Sequence, residues 1–202
     1  MARYEPHDRF YRKARAQGLP SRAAFKLEEM IARFDLPRAG AQVIDLGCAP
    51  GGWLAILARK VGANGRIIGV DLVSCKVNAP NVITMARDIR DRTLPTEVIR
   101  RLGAAADLVT CDAAPRLSGI AEHDQAGSLE LLEAVLDFIR ESLKPHGAAV
   151  VKLFMGAEFN HIGARFKTYF AQVEIVRVKA SRPGSSELYL VARGFLGRSR
   201  QR

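Results

Sequence analysis

The 202-residue sequence predicts an α/β fold: an open, mostly parallel sheet covered by helices on both faces. From Val43 onward, short apolar runs alternate with amphipathic stretches, the order typical of parallel strands joined by helices. Most runs are continuously apolar, as strands buried on both faces require. The last two runs are joined only by SRPGSS (181–186), which is too short for a crossover helix. They should therefore pair antiparallel, as a hairpin at one edge of the sheet.

Seven runs are predicted as strands of one Rossmann-like sheet. They are VIDL (43–46), RIIGVDL (66–72), NVITM (81–85), ADLVTCD (106–112), AAVVKLF (148–154), VEIVRV (173–178) and ELYLVARG (187–194). Amphipathic periodicity predicts the helices that cover this sheet. They are expected over residues 53–61, 94–103, 128–143 and about 158–170.

The first 36 residues are predicted as a basic N-terminal extension and a helix that packs on the α/β domain. That helix covers 21–34, opens at Ser21 as its N-cap and places Leu27 and Ile31 on one apolar face. The α/β domain is predicted over 37–194, and residues 195–202 are predicted as a basic flexible tail.

The formal charge of +10 is concentrated at the two ends of the chain. In the N-terminal segment, basic residues are interleaved with aromatic ones, a pattern that suits a phosphate backbone with bases stacked beside it. A solubilising surface or a disordered tail is the alternative. The favoured interpretation is nucleic-acid binding, and the predicted RNA-binding residues are Arg9, Arg12, Lys13 and Arg22.

Other classes of protein are disfavoured by the composition. No apolar stretch reaches the roughly 18 residues of a membrane helix, and the polar N-terminus does not resemble a secretory signal. Three cysteines without a C-x-x-C pair argue against a disulfide framework, so a cytoplasmic protein is expected. The four histidines lack metal-ligand spacing, and no metal is expected. We expect a monomer.

The loop after the first strand, VIDLGCAPGGW (43–53), is a loosened G-x-G-x-x-G motif. By itself it would also suit a dinucleotide enzyme. Four aspartates at the ends of the first four strands argue otherwise, because those ends face one crevice and their charges would repel a pyrophosphate. They are Asp45, Asp71, Asp88 and Asp112. The alternative role for any one of these aspartates, taken alone, is to cap a helix or a turn.

Carboxylates in that crevice favour a cationic ligand that also carries hydroxyl groups, and S-adenosylmethionine meets both conditions. Asp71 would accept hydrogen bonds from the ribose hydroxyls, and Asp88 from the adenine edge. Either Asp45 or Asp112 would meet the methionine ammonium. The backbone at Gly47 and Gly51 is expected to approach the ligand closely, since glycine has no Cβ.

Lys152 lies inside the most apolar strand candidate, where lysine is seldom buried without a partner or a task. Burial disfavours the ammonium form and can make a lysine a usable base. The alternative is a lysine whose ammonium group reaches solvent at the strand end. Glu187 likewise enters an apolar strand, which is expected to be an edge strand with a solvated charge.

These residues resemble a known family. Lys26 in SRAAFKLEEM, Asp112 in TCDAAPRLSG, Lys152 in VVKLFMG and Glu187 in SRPGSSELYLVARG are similar to the K-D-K-E tetrad of the FtsJ (RrmJ) family of RNA 2′-O-ribose methyltransferases. DLGCAPGGW (45–53) resembles that family's donor loop, and GLPSRAAFKL (18–27) its N-terminal segment. The resemblance runs from about residue 10 to residue 194.

The resemblance implies a seven-stranded S-adenosylmethionine-dependent methyltransferase whose substrate is a uridine of 23S rRNA in the large ribosomal subunit. It implies donor contacts at Gly51, Trp53, Asp71, Asp88 and Asp112, with Asp45 and Gly47 in support, and Lys152 as the proton acceptor of the tetrad. Ala113 and Arg116 depart from the bacterial pattern, which more often has Met and Asn there. The alternatives are a non-catalytic RNA-binding assembly factor, a methyltransferase acting on another RNA such as tRNA, and a small-molecule or dinucleotide enzyme.

Overall fold

A computed structural model describes residues 8–75, 77–115, 119, 121–156, 158–182 and 184–197. Within these ranges the chain forms six helices and seven strands. The helices are α1 (Arg9–Ala16), α2 (Ala24–Phe34), α3 (Gly52–Val61), α4 (Leu94–Leu102), α5 (Ala121–Ser142) and α6 (Glu158–Tyr169). The strands are β1 (Gln42–Leu46), β2 (Arg66–Asp71), β3 (Val82–Ala86), β4 (Ala106–Cys111), β5 (Leu143–Phe154), β6 (Phe170–Val176) and β7 (Glu187–Phe195).

The strands form one sheet in the order β3-β2-β1-β4-β5-β7-β6. Strands β1 to β5 are parallel, and β7 runs antiparallel between β5 and β6. The predicted seven-stranded α/β fold with an antiparallel C-terminal hairpin is confirmed. The prediction that Glu187 enters an edge strand is wrong, because β6 forms the edge and β7 lies inside the sheet. Glu187 is therefore buried, at 8% exposure.

Apolar layers cover both faces of the sheet. Helices α1, α2 and α3 contribute to one layer, while α4, α5 and α6 contribute to the other. Side chains alternate between the faces along each strand, so Val43 joins the first layer and Ile44 the second. In the described part of the chain, no helix is both long and apolar enough to cross a membrane.

The basic N-terminal segment contains a helix that the sequence analysis did not predict. Asp8 caps α1 by accepting a hydrogen bond from the Tyr11 backbone N–H at 2.9 Å. The Phe10 ring packs 5.8 Å from the Phe25 ring of α2. The predicted N-cap at Ser21 is wrong: α2 begins at Ala24, and the buried Ser21 hydroxyl has no hydrogen-bond partner among the described residues. Residues 198–202 of the predicted tail, and Arg116, lie outside the described residues.

Glycine in the loop after β1 is required by the packing of the chain itself. Gly47 and Gly51 have left-handed φ values of +72° and +105°. A Cβ on Gly47 would lie 2.6 Å from the Ala113 backbone nitrogen, and a Cβ on Gly51 would lie 2.7 Å from Val77 Cγ2. Close packing is thus one reason for glycine at both positions, and a close approach of this backbone to a ligand stays a prediction.

The Gly47→Ala substitution should destabilise the fold far more than Gly40→Ala. Both positions have a similar left-handed φ, +72° and +78°, but a Cβ on Gly40 meets nothing within 4 Å. The difference in the free energy of unfolding therefore isolates the clash with Ala113, which we expect to cost roughly 1–3 kcal/mol. Urea unfolding of the two variants measures it. Equal losses would show that the strained backbone alone requires glycine.

Candidate active site

A cavity of about 650 Å³ opens at the carboxyl ends of the parallel strands, where the strand order reverses between β1 and β4. Three of the four predicted strand-end aspartates line it, namely Asp71, Asp88 and Asp112. Gly47 and Leu72 also contribute to its wall. The sheet therefore brings together carboxylates that are far apart in the sequence, as predicted.

Two of these carboxylates also fix the loops around the cavity. Asp71 accepts hydrogen bonds from the backbone N–H groups of Ala49 at 2.9 Å and Val73 at 3.0 Å, so it joins the loops after β1 and β2. Asp88 forms a forked ion pair with Arg90, with bonds of 3.0 and 2.7 Å. The hydrogen bonds from Arg90 lower the pKa of Asp88, which stays ionised.

Asp45, Gly51 and Trp53 do not line this cavity. Asp45 is fully buried in β1, where the Thr110 hydroxyl donates to its Oδ1 at 2.6 Å. Burial raises the pKa of Asp45 to about 8, so this carboxyl is protonated at neutral pH. The Trp53 indole is buried and donates to the Ala23 carbonyl at 2.9 Å, which ties α3 to the start of α2.

Lys152 and Asp112 form a partly buried pair beside the cavity. The Lys152 ammonium donates to the Asp112 backbone carbonyl and lies 3.3 Å from Asp112 Oδ1. The two side chains are 10% and 18% exposed, so water screens their attraction weakly. The expectation of a lysine that reaches solvent at the strand end does not apply.

Lys26 and Glu187 form a second pair, with Nζ and Oε2 separated by 2.7 Å. Glu187 also accepts from the Ser181 hydroxyl at 2.8 Å. Burial raises the pKa of Glu187, but the hydrogen bond and charge of Lys26 outweigh it, and the net shift is downward. Glu187 is therefore ionised. It is the first residue of β7, so the pair lies at the start of that strand.

Tyr189 joins the two pairs, and the sequence analysis missed it. Its hydroxyl donates to Asp112 Oδ1 at 2.9 Å, and the Lys26 ammonium lies 6.0 Å from its ring centroid. Burial, followed by the charges of Asp112 and Glu187, raises the pKa of Tyr189, so the phenol remains neutral. The available signal was spacing: Tyr189 follows Glu187 by two residues and shares its face of the strand.

The predicted RNA-binding residues lie in two places. Arg9 and Lys13 border an open groove of about 490 Å³ together with Phe10 and Phe25, while Arg12 is exposed on α1. Arg22 does not line this groove, although its guanidinium lies 5.6 Å from the centroid of the Phe10 ring. Its guanidinium pairs with Asp8 and donates to the Ala180 carbonyl at 2.6 Å.

The reversed strand order, the inserted antiparallel β7 and the cavity at the strand ends define the class as a Rossmann-like protein with a ligand site at the switch point of its sheet. The chain belongs to the FtsJ-like methyltransferase family, whose pattern matches residues 19–195. It is 45% identical to "Ribosomal RNA large subunit methyltransferase E" of Caulobacter sp. (strain K31), over 95% of this chain and 84% of that protein. The protein of the same name from Myxococcus xanthus is 39% identical, over 93% and 89%.

A solved structure supports the same assignment. The chain described as a ribosomal RNA methyltransferase from Plasmodium falciparum superposes with a TM-score of 0.78 and 27% identity. The match covers 89% of this chain and 100% of that one. The family and the fold predicted from the sequence are both confirmed.

The Asp45→Asn variant should gain stability relative to the wild type as the pH rises from about 4 to about 8. In this range the unfolded Asp45, with a pKa near 3.8, loses its proton while the folded one, with a pKa of about 8, retains it. The contribution of Asp45 to stability is therefore complete below pH 3.8 and lost as the pH approaches 8. Asparagine has no such loss. Urea unfolding of both proteins at several pH values checks this, and parallel stability profiles would contradict it.

Proposed function

We propose that this protein transfers a methyl group from S-adenosylmethionine to a ribose 2′-hydroxyl of ribosomal RNA, with a uridine of 23S rRNA in the large subunit as the target. The observation that carries the proposal is the partly buried Lys152–Asp112 pair at the edge of an acidic cavity. An acidic cavity suits a cationic donor, and a partly buried lysine beside it suits a hydroxyl acceptor.

The residues present fit the methyl donor. Asp71 would hold the ribose hydroxyls, Asp88 the adenine amine and Asp112 the methionine ammonium. Arg87 and Arg90 also line the cavity, but Arg87 pairs with Asp91 and Arg90 pairs with Asp88, so neither charge is free for a pyrophosphate. Leu72, at 59% exposure, offers an apolar surface to the adenine. When bound, the donor supplies an electrophilic methyl group on a sulfonium.

The chain supplies proton transfer and alignment. A ribose hydroxyl is a weak nucleophile at neutral pH, so its proton must leave as the new bond forms. Lys152 would accept that proton in its neutral amine form and thereby become an ammonium. Asp112 positions Lys152 and is itself held by the Tyr189 hydroxyl, 2.9 Å from its Oδ1. Lys26 and Glu187 orient the ribose, and orientation of this kind supplies much of the acceleration.

The proposal that ribosomal RNA is the substrate rests on the names of the relatives and on the positive charge of the N-terminal groove. The Caulobacter and Myxococcus relatives both carry names that specify the large ribosomal subunit, and each matches this chain over most of its length. The basic groove bordered by Arg9 and Lys13 provides a surface for an RNA backbone.

Mapping of ribose methylation in RNA from cells that lack the protein tests the proposal. We expect one 23S rRNA uridine to lose its 2′-O-methyl group and the purified protein to restore it with S-adenosylmethionine. If the missing methyl group lies in tRNA instead, tRNA is the substrate and the 23S rRNA assignment is wrong. Unchanged methylation throughout would favour an assembly factor.

Asp71→Ala should weaken donor binding more than Lys152→Ala does. Asp71 is proposed to hold the donor's hydroxyls, whereas Lys152 acts on the acceptor. A lost hydrogen bond to a charged group, about 1.5–3 kcal/mol, corresponds to roughly tenfold or more in affinity. Calorimetry with S-adenosylmethionine measures both variants. Equal losses, or a larger loss for Lys152→Ala, would contradict the assignment.

Lys152→Ala should lower the rate of methyl transfer by about 10²–10⁴-fold, the usual contribution of a general base, with donor affinity nearly unchanged. Lys152→Arg should be almost as slow, because a guanidinium retains its proton at neutral pH. Single-turnover transfer by all three proteins, across a range of pH, measures the effect. An active arginine variant with the wild-type pH profile would show that only the charge of Lys152 matters.

A further inference from the structure

The last residue of β5, Phe154, holds an aromatic ring at the surface of the molecule. Its exposed fraction is 37%, whereas Leu153 before it is 1% exposed. From Gly147 to Leu153 every residue of the strand is buried apart from Lys152, which is half-buried. A single exposed apolar side chain is ordinary on a protein surface. The meaning of this one therefore depends on what lies beside it.

The register of β5 against β7 places Phe154 beside the proposed catalytic group. Phe154 lies opposite Glu187, and Lys152 lies opposite Tyr189. Directly opposite residues of two antiparallel strands share a face of the sheet, as do residues two apart on one strand. The four side chains therefore form one patch, in which Glu187 and Tyr189 are buried and Lys152 is half-buried. Phe154 is the exposed corner of this patch.

The Phe154 ring also lies close to the proposed proton acceptor. Lys152 Nζ is 5.6 Å from the ring centroid, a distance at which a cation and an aromatic ring attract each other. Two roles are compatible with this geometry. The ring could cover Lys152, or its solvent-facing part could contact a substrate.

The chemistry of a ribonucleotide favours contact with the substrate. The base is attached to C1′ of the ribose, and the neighbouring carbon bears the 2′-hydroxyl. A ribose with its 2′-oxygen at Lys152 must therefore bring its base close to the same patch, where Phe154 offers an exposed aromatic surface. Bases stack on aromatic side chains, and such stacking is common in the recognition of single-stranded RNA.

We infer that Phe154 stacks against the base of the nucleotide whose ribose is methylated, and thereby holds the 2′-oxygen at Lys152. This inference rests on the proposed function and adds a substrate contact to it. Because every base has a π face, stacking on Phe154 requires an aromatic base but does not select uracil over cytosine. Phe154 would therefore fix the position of the target nucleotide and leave the identity of its base to other contacts.

Binding of a minimal ligand tests the inference without knowledge of the rRNA target. The probes are uridylyl-uridine and the same dinucleotide with both bases reduced to 5,6-dihydrouracil, which keeps the charge and the polar groups but is neither planar nor aromatic. Each is titrated by NMR with S-adenosylhomocysteine present. The wild type should bind uridylyl-uridine about tenfold more tightly, an affinity ratio typical of one base stacked on an aromatic side chain. Phe154→Leu should abolish this preference, and Phe154→Tyr should retain it.

Ile83→Ala is the matched control, because it removes an apolar side chain of similar exposure, 43%, from the edge strand β3 at the other end of the sheet. It should keep the full preference for uridylyl-uridine. A wild type that binds both probes equally, or binds neither, overturns the inference. A Phe154→Leu variant that keeps the preference overturns it as well.

The pH dependence of methyl transfer separates stacking from a role exerted only through Lys152. Single-turnover transfer to RNA from cells that lack the protein is measured for the wild type and Phe154→Leu. A shifted pH profile together with an intact probe preference would show that Phe154 only covers Lys152, which contradicts the inference. If the wild type methylates rRNA but shows no probe preference, the inference alone fails; if the preference is seen while no RNA is methylated, the proposed function fails instead.

Discussion

Lysine and carboxylate side chains are largely shielded from water beside the junction of β5 and β7, and an unpaired charge there would cost several kcal/mol. Lys152 and Asp112 neutralise each other, as do Lys26 and Glu187. The register of β5 against β7 makes this possible, because it sets Lys152 opposite Tyr189 and Phe154 opposite Glu187. The antiparallel insertion of β7 therefore assembles the proposed catalytic group as much as it completes the sheet.

The remaining packing maintains this arrangement from the helix side. Trp53 binds the Ala23 carbonyl and packs 5.8 Å from the Tyr189 ring, so it positions the start of α2 against β7. Lys26 lies in the first turn of α2 and thereby reaches Glu187. The structure gives Trp53 this positioning role within the core, and direct contact with a methyl donor stays a prediction.

Charge distinguishes the donor side of the proposed reaction. The acidic cavity presents Asp71, Asp88 and Asp112. In the proposed reaction, the acidic cavity would favour the cationic donor over the anionic RNA strand. The Lys152–Asp112 pair lies beside the acidic cavity, and in the proposed reaction the donor and the ribose would meet there.

The sequence by itself determined the sheet, its strands and the family, because continuous apolar runs and ordered motifs are local properties of the chain. The aspartates at the strand ends followed from topology, since parallel strands end at one edge of the sheet. Only the tertiary structure decided which of them face the cavity: Asp45 lies one residue before the end of β1 and is buried, whereas Asp71 is the last residue of β2 and lines the cavity. Tyr189, the interior position of β7 and the close packing of Gly47 against Ala113 likewise depend on contacts between segments far apart in the sequence. The spacing of Tyr189 from Glu187 indicates only its face of the strand, and the partners of these residues are fixed by packing rather than by local pattern.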